Sequence, residues 1–399
     1  MAELTTEQRE FQEYARRWLE ENRPDPCPER LPITSGEIAT EVQRDYLQAW
    51  QNAVYEAGLI GCDYPTEYGG GGHQGFQGIA NREMVRARVP YLLNVVGLSI
   101  AAPAILGHGT DAQKRRYLPG ILSCEEIWCQ GFSEPGAGSD LANQETMAVR
   151  DGDDWIVNGH KVWTSLGKFA HWMILLTRTN RELKHDGLTF FLAPVEGTPG
   201  LTIRPLVKLT GEAGFNEVLL ENVRLPDSLR LDDVGKGWAV TMTALAGERG
   251  ASESAGRSAP ERKDPITRLV ELAKSSYRDG RRAADDPVIR DEIAERAIRR
   301  EGFRQSMRRA RVGPLTDHPM RLPLQQKVLS TEFAQESARL GVDIAGAHST
   351  LYKLDGAAPE AGHWPLSYMN SYAGTISQGT NEIQRNILGE RVLGLPKTK

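Results

Sequence analysis

No stretch limits what this chain can fold into more than Trp128 to Asp140, WCQGFSEPGAGSD. It sets Pro135, Gly136, Ala137 and Gly138 between the hydroxyls of Ser133 and Ser139, behind an apolar lead-in and with acidic residues close by. A backbone with so few Cβ atoms can approach a ligand closely, and two hydroxyls can hydrogen-bond a polar edge. The segment reads either as an ordinary strand-to-turn passage or as a loop shaped to lie along a planar cofactor. No Gly-Lys-Ser/Thr follows and the spacing is not GxGxxG, so neither a P-loop nor a dinucleotide turn is indicated.

The chain on either side of this loop changes character twice. Thr5 and Gln8 stand at capping-box spacing, and Phe11, Tyr14, Ala15, Trp18 and Leu19 recur on one helical face, which predicts a helix over residues 5–20. Helical pattern resumes from Ile38 through Ala57, with Val42, Tyr46, Leu47 and Trp50 on one side, and again from about Gly75 to Leu122. After Cys124 the pattern turns to β. Asn158-Gly159, a strong hairpin signal, lies between Trp155–Val157 and Lys161–Trp163, and Met173–Thr177, Leu188–Pro194, Leu201–Ile203 and Glu217–Val223 are short β-rich runs. Helix returns after Gly237, with the patch Glu253–Pro265 expected to interrupt it. In the last element Thr380 or Asn381 caps, Glu382 suits the positive helix end, Ile383, Ile387, Leu388 and Val392 form the expected buried stripe, and Gly394 and Pro396 stop it.

The order predicts an α+β multi-domain fold: an N-terminal helical domain over 1–123, a central β-barrel-like domain over 124–231 and a C-terminal helical bundle over 232–399.

Charge and hydropathy then exclude several classes of function. The 399 residues carry 48 basic against 53 acidic side chains, a formal charge of -5, which predicts no general affinity for nucleic acid or anionic membrane. The basic run from Arg296 to Arg311 reads as a solvated helix face offset by acids upstream, with a subunit or phosphate contact as the alternative. Tyr91–Gly107 is apolar but interrupted by Asn94 and Pro103, and it falls short of the roughly 20 residues of a membrane span, so a buried helix is expected. Cys27, Cys62, Cys124 and Cys129 include no C-x-x-C pair, and MAELTTEQRE has neither a basic nor an apolar leader, so a reducing cytoplasm is the expected compartment.

Three segments, GFSEPGAGSD at 131–140, GHKVWTS at 159–165 and QGTNEIQRNILGERVLGLP at 378–396, together resemble the acyl-CoA dehydrogenase family. The resemblance covers nearly the whole chain. It implies FAD bound between the β domain and the C-terminal helices, oxidation of an acyl-CoA thioester to the trans-2-enoyl form, electrons leaving through an electron-transfer flavoprotein, and a homo-dimer or homo-tetramer. Carried over by position, Gln130, Phe132 and Ser133 would line the isoalloxazine, Ser139 would be shared by cofactor and CoA, and Trp163 would pack on the flavin with Thr164 and Ser165 as polar contacts. Arg281, Gly346, Thr380 and Glu382 are further candidate cofactor contacts, and Gln378 and Gly379 would face the substrate.

The implied reaction needs a base at the α carbon, and a carboxylate beside an apolar acyl chain has its pKa raised toward neutrality, which suits the task. Many members of the family place it just before the Gly-Thr of the last motif. Here that residue is Gln378, whose amide cannot take a proton. The resemblance to a minority branch puts the base instead at Glu248, within LAGERG, with Arg249 as a substrate-side or structural partner. A main-chain N–H at 378 would still polarise the thioester oxygen.

Two positions depart from the family pattern. Arg281-Arg282-Ala283-Ala284-Asp285 keeps an arginine but lacks the usual Phe-Gly, and Asp343–Ala347 keeps only Gly346 of a Gln-x-x-Gly-Gly stretch. The competing readings are a flavin oxidase or monooxygenase of the same fold acting on a non-CoA substrate, and an FAD-holding subunit of a hetero-oligomer.

Overall fold

Threonine begins three of the helices in the first half of the chain. Thr5, Thr40 and Thr110 each accept from the backbone N–H three residues on, while Gln8, Gln43 and Gln113 return the bond. These capping boxes satisfy N–H groups that a helix start leaves open. They define α1 (Thr6–Glu21), α2 (Glu41–Glu56) and, after α3 (Gln77–Ala87) and α4 (Ala102–His108), α5 (Asp111–Ser123). The computed structural model describes residues 4–32, 35–254, 264–278, 280–309, 312, 318–352 and 355–397, with the side chains of 247–254 outside that set. Within it the chain divides into two compact units, Ala2–Pro260 and Glu261–Lys399.

In the first unit the helices precede the strands. α1 buries Ala15 and Leu19 of its expected face, and α2 buries Leu47 and Trp50 but leaves Val42 exposed. Gln43, Gln51 and Val54 are buried instead, which widens the inward stripe of α2. Tyr91–Gly107 is not one helix: an extended segment passes through a π-helical turn, Gly97–Ala101, into α4. The interrupting Asn94 is fully buried and works as a hub. It donates to the carbonyls of Ile121 and Glu126, accepts from Trp128 N at 3.0 Å, and its own N–H meets Gln51. The start of the first strand is thereby fixed to the end of α5. Among the described residues no helix is long and apolar enough to cross a membrane.

The strands are β1 (Trp128–Gly131), β2 (Met147–Asp151), β3 (Asp154–Ser165), β4 (Trp172–Arg178), β5 (Leu188–Pro194), β6 (Leu201–Leu206), β7 (Phe215–Pro226) and β8 (Arg230–Leu231). They form one sheet in the order β6-β7-β3-β2-β4-β5-β8, with β1 added parallel to β4. β4 and β5 are buried on both faces. Met173, Leu175, Phe191 and Ala193 join the core inside the sheet with Val218, Leu220 and Leu225 of β7. Ile174, Leu176, Phe190 and Leu192 pack on the helical layer beside Ile105, Leu118 and Ile121. Strands covered on both sides read as continuous apolar runs.

Asn158-Gly159 is not the hairpin turn. It lies inside β3, and the chain reverses at Gly152, whose φ is +64°. The Asn-Gly pair instead accompanies a register shift between β3 and β7, because a Cβ at Gly159 would stand 2.2 Å from Thr146 Oγ1. After β8, α6 (Gly237–Ser254) returns across the helical layer and buries Val240, Thr241 and Ala244. The expected interruption at Glu253–Pro265 falls largely outside the described residues, since 255–263 belong to no described element.

Among its described residues the second unit is built of helices and one small hairpin. It contains α7 (Pro265–Ser275), β9 (Tyr277–Arg278), β10 (Arg281–Arg282), α8 (Pro287–Arg309), α9 (Arg321–Ala345), α10 (His363–Ile376) and α11 (Asn381–Ile387). The arginines of α8 are mostly matched by acids: Arg296 with Glu292, Arg299 with Glu336, Arg300 with Asp264 and Arg304 with Glu301. The expected solvated face holds only in part, since Arg296 is buried.

Candidate functional site

The glycine-rich loop leaves the sheet at the end of β1 and makes a tight turn. Glu134 N donates to Ala137 O at 3.0 Å and Ala137 N to Glu134 O at 3.1 Å, closing a reversal over Pro135-Gly136. Pro135, Gly136, Gly138, Ser139 and Asp140 are exposed. A Cβ built on Gly136 or Gly138 would meet nothing within 4 Å, so the loop presents bare backbone to open space. Ser133 O accepts from Val162 N at 2.9 Å, which sets this loop against β3 directly ahead of Trp163, Thr164 and Ser165.

Below the turn the loop is fixed by buried charge. The fully buried Lys161 donates to Glu134 Oε1 (2.8 Å), Phe132 O (3.0 Å) and Gln144 Oε1 (2.5 Å). The carboxylate of Glu134 also accepts from Glu145 N and Thr146 N. Burial pushes the Glu134 carboxyl up, but the Lys161 ammonium together with the donors at Thr146 and Glu145 holds the group below its ordinary value. Burial draws Lys161 down to about 8, against the opposing pull of Glu134.

A bulge between Lys161 and Thr164 breaks the alternation of β3. Trp163 takes φ +61°, stands 56% exposed and meets Phe215 edge-on at 5.8 Å. More than half of the residue's surface is left open beside the loop. Ser133 and Ser165 are half-buried, as is Gln130. Two expected contacts point elsewhere. The Phe132 ring is in the core, edge-on to Phe190 at 5.6 Å, and Thr164 is fully buried with a partnerless hydroxyl. The open turn, the hydroxyls of Ser133, Ser139 and Ser165, and the exposed indole fit a planar cofactor with a polar edge, as FAD has.

A cavity of about 590 Å³ opens beside the loop, lined among others by Glu134, Gly136, Asn158, His160 and Arg181. It shares Pro135, Gly136 and Ala137 of the turn with the cradle, while Ser133, Ser139, Trp163 and Ser165 are not among its lining.

The second unit brings together Gln378, Gly379, Thr380 and Glu382. Gln378 is exposed at φ +57° and Gly379 follows at +81°, a left-handed pair that turns the chain sharply into α11. Both carbonyls of this turn are tied from behind. Gln384 Nε2 donates to Gln378 O at 2.7 Å, and Lys327 Nζ donates to Gly379 O at 2.8 Å and Asn381 Oδ1 at 2.7 Å. Thr380 caps α11 by accepting from Ile383 N. The expected buried stripe is not found: Ile383, Ile387, Leu388 and Val392 are half-buried, while Asn381 and Gln384 are buried. The polar pair displaces the apolar stripe because it holds the turn.

Arg281 is exposed on β10, and Gly346 ends α9 at φ +56°. Glu248 and Arg249 lie on α6, and their side chains are outside the described residues. The sequence reading missed Lys161, Glu134, Gln144, Lys327 and Gln384. No local signal marked them, since Glu134 and Gln144 lie in loops, Lys161 in β3, Lys327 in α9 and Gln384 in α11, each beside at least one polar residue or proline.

Comparison with known proteins follows the same three-part order. The chain matches the acyl-CoA dehydrogenase N-terminal domain over residues 5–125, the middle domain over 129–223 and the C-terminal domain over 235–393. It is 38% identical over 352 residues, 88% of each chain, to the acyl-CoA dehydrogenase IpdE1 of Mycobacterium tuberculosis. Among solved structures, the Tcur3481-Tcur3483 steroid ACAD is similar at TM-score 0.77 and 26% identity, covering 99% of both chains. The ChsE4-ChsE5 complex from Mycobacterium tuberculosis is similar at TM-score 0.73 and 28% identity, covering 100% of both.

Proposed function

Because the chain belongs to the acyl-CoA dehydrogenase family, we propose that it oxidises its acyl-CoA thioester with Glu248 as the base at the α carbon. As a member of that family it is an FAD-dependent oxidoreductase acting on acyl-CoA. Bound FAD supplies the hydride acceptor that no side chain can provide. The chain supplies the rest: a base to take the α proton, donors to polarise the thioester oxygen, and a surface that excludes water.

The observation that carries the assignment is the course of α6. Val240 and Ala244 are fully buried, and position 248 follows Ala244 by one further turn of the same helix. Gln378, at the alternative position, has an amide in place of a carboxylate. Its main-chain N–H would serve the thioester oxygen, on a turn whose two carbonyls are tied down. Arg249 would act on the substrate side, with Ser133, Ser139, Trp163 and Ser165 holding the flavin and Thr164 supporting them from the core.

The test is anaerobic flavin reduction by a panel of acyl-CoAs that includes ring-bearing thioesters, since one similar structure is titled a steroid ACAD. Glu248→Gln should slow reduction by roughly 10² to 10⁴ fold while FAD stays bound, and Gln378→Ala should cost far less. Substantial activity in Glu248→Gln would move the base elsewhere. Failure of every thioester to bleach the flavin would remove the dehydrogenase reading.

An electron-transfer flavoprotein is the proposed acceptor. A second reading, assembly with a different subunit, is favoured by the lost Phe-Gly after Arg282 and by the likeness to the two-component ChsE4-ChsE5 complex. Mass measurement of the native assembly, purified alone and with a partner subunit, decides it.

A further inference from the structure

Lys161 has no exposed surface, and the Glu134 side chain is 7% exposed. Taking two charges out of water costs several kcal/mol each, and replacing such a pair by neutral residues is often neutral or stabilising. Stability alone is therefore a weak reason to keep it. The placement of its bonds suggests another. Lys161 reaches Phe132 O and Gln144 Oε1, and Glu134 reaches Glu145 N and Thr146 N, so one ion pair gathers the outgoing and returning ends of the segment 132–146. Arg178 adds to the returning end, donating to the carbonyls of Ala142 and Gln144. Between those ends Pro135, Gly136 and Gly138–Asp140 are exposed, and Ala137 alone is buried. The ammonium also sits on β3 two residues before Trp163, so the segment and the indole are referred to a single point.

We propose that Lys161 and Glu134 form a positioning pair for the cofactor, which holds the Ser133–Ser139 turn and the Trp163–Ser165 segment in the mutual arrangement that FAD requires. This rests on the reading of that turn as the flavin cradle. Neither residue touches the reacting atoms. The three N–H groups of the ammonium match the three acceptors around it, and the carboxylate is the group that can take two main-chain donors and the ammonium together. Neutral replacements would fill the same space yet leave the turn free to shift.

The experiment compares wild type with Lys161→Met, Glu134→Gln and the double variant, each stripped of FAD and reconstituted. Thermal midpoints are read on the apo forms, and the dissociation constant for FAD is read from quenching of its fluorescence. The resolved shoulder of the bound-flavin absorption band reports the cofactor's surroundings. Lys161→Met leaves a buried carboxylate without its partner and is expected to melt early. The double variant removes both charges and is expected to melt at or above wild type. It should bind FAD at least roughly tenfold more weakly, the scale on which lost supporting groups act, and lose the shoulder.

A double variant that keeps wild-type affinity and spectrum overturns the pair's role alone. One that fails to fold, or whose apo form melts well below wild type, makes the pair a structural requirement and overturns it too. Wild type that takes up no FAD overturns the cradle and the pair together.

Discussion

Asp227 accepts from the Trp155 indole at 2.7 Å and from two nitrogens of Arg230 at 2.9 and 3.1 Å, closing a corner of the β sheet. The Arg230 bonds, more than the indole, hold its carboxyl at about 2 against an ordinary 3.8. A carboxyl lowered in the folded state adds stability above its unfolded value, and that contribution is lost as pH falls through the folded one. Unfolding midpoints in denaturant should therefore fall between pH 3.8 and about 2 in wild type, and Asp227→Asn should flatten that part of the curve. At this scale the sequence was readable where composition dictated shape, as in the Pro-Gly-Ala-Gly turn. It was unreadable where a side chain's direction depended on tertiary bonds. A lysine in a strand reads as solvent-facing, and only the acceptors gathered from 132–144 explain the burial of Lys161. Phe132 and Thr164 were unreadable for a related reason: the Phe132 ring packs on Phe190 of β5, and the bulge after Lys161 cancels the alternation by which the face of Thr164 would be counted.

Among elements, close approach of backbones decides how α6 and the helices of the second unit pack. A Cβ on Gly237 would lie 2.6 Å from Thr189 N and 2.7 Å from Leu188 C, both backbone atoms that cannot swing aside. Gly237→Ala should lift the start of α6 from β5, lowering stability by about 1 to 3 kcal/mol and displacing the helix that carries Glu248. The expected result is a lower thermal midpoint together with slower flavin reduction. A Cβ on Gly341 would stand 2.0 Å from the Trp364 ring, so Gly341→Ala should separate α9 from α10 at a similar cost, read by denaturant titration. The starts of α1 and α11 were legible because capping is local chemistry, three residues long, whereas the caps at Thr40 and Thr110 went unread. The Asn-Gly at 158–159 misled because a hairpin signal carries no information about the strand beyond it. The final helix misled because two buried amides, Asn381 and Gln384, serve the turn before it.

For the molecule as a whole, the succession of helices, sheet and helices was present in the pattern, since periodicity changes near Cys124 and again near Gly237. The two-sided burial of β4 and β5 was visible as unbroken apolar runs. Their amides, Met173–Leu176 and Phe190–Leu192, should be the last of the first unit to exchange with deuterium, because only global opening exposes them. The distribution of sulfur has a separate consequence. Cys62, Cys124 and Cys129 are buried, and burial pushes their thiols up, that of Cys62 to about 12, whereas Cys27 is only half-covered. A maleimide dye should thus attach once to the native protein and four times after unfolding, giving a built-in address near the amino terminus for following cofactor uptake by energy transfer without engineering the chain.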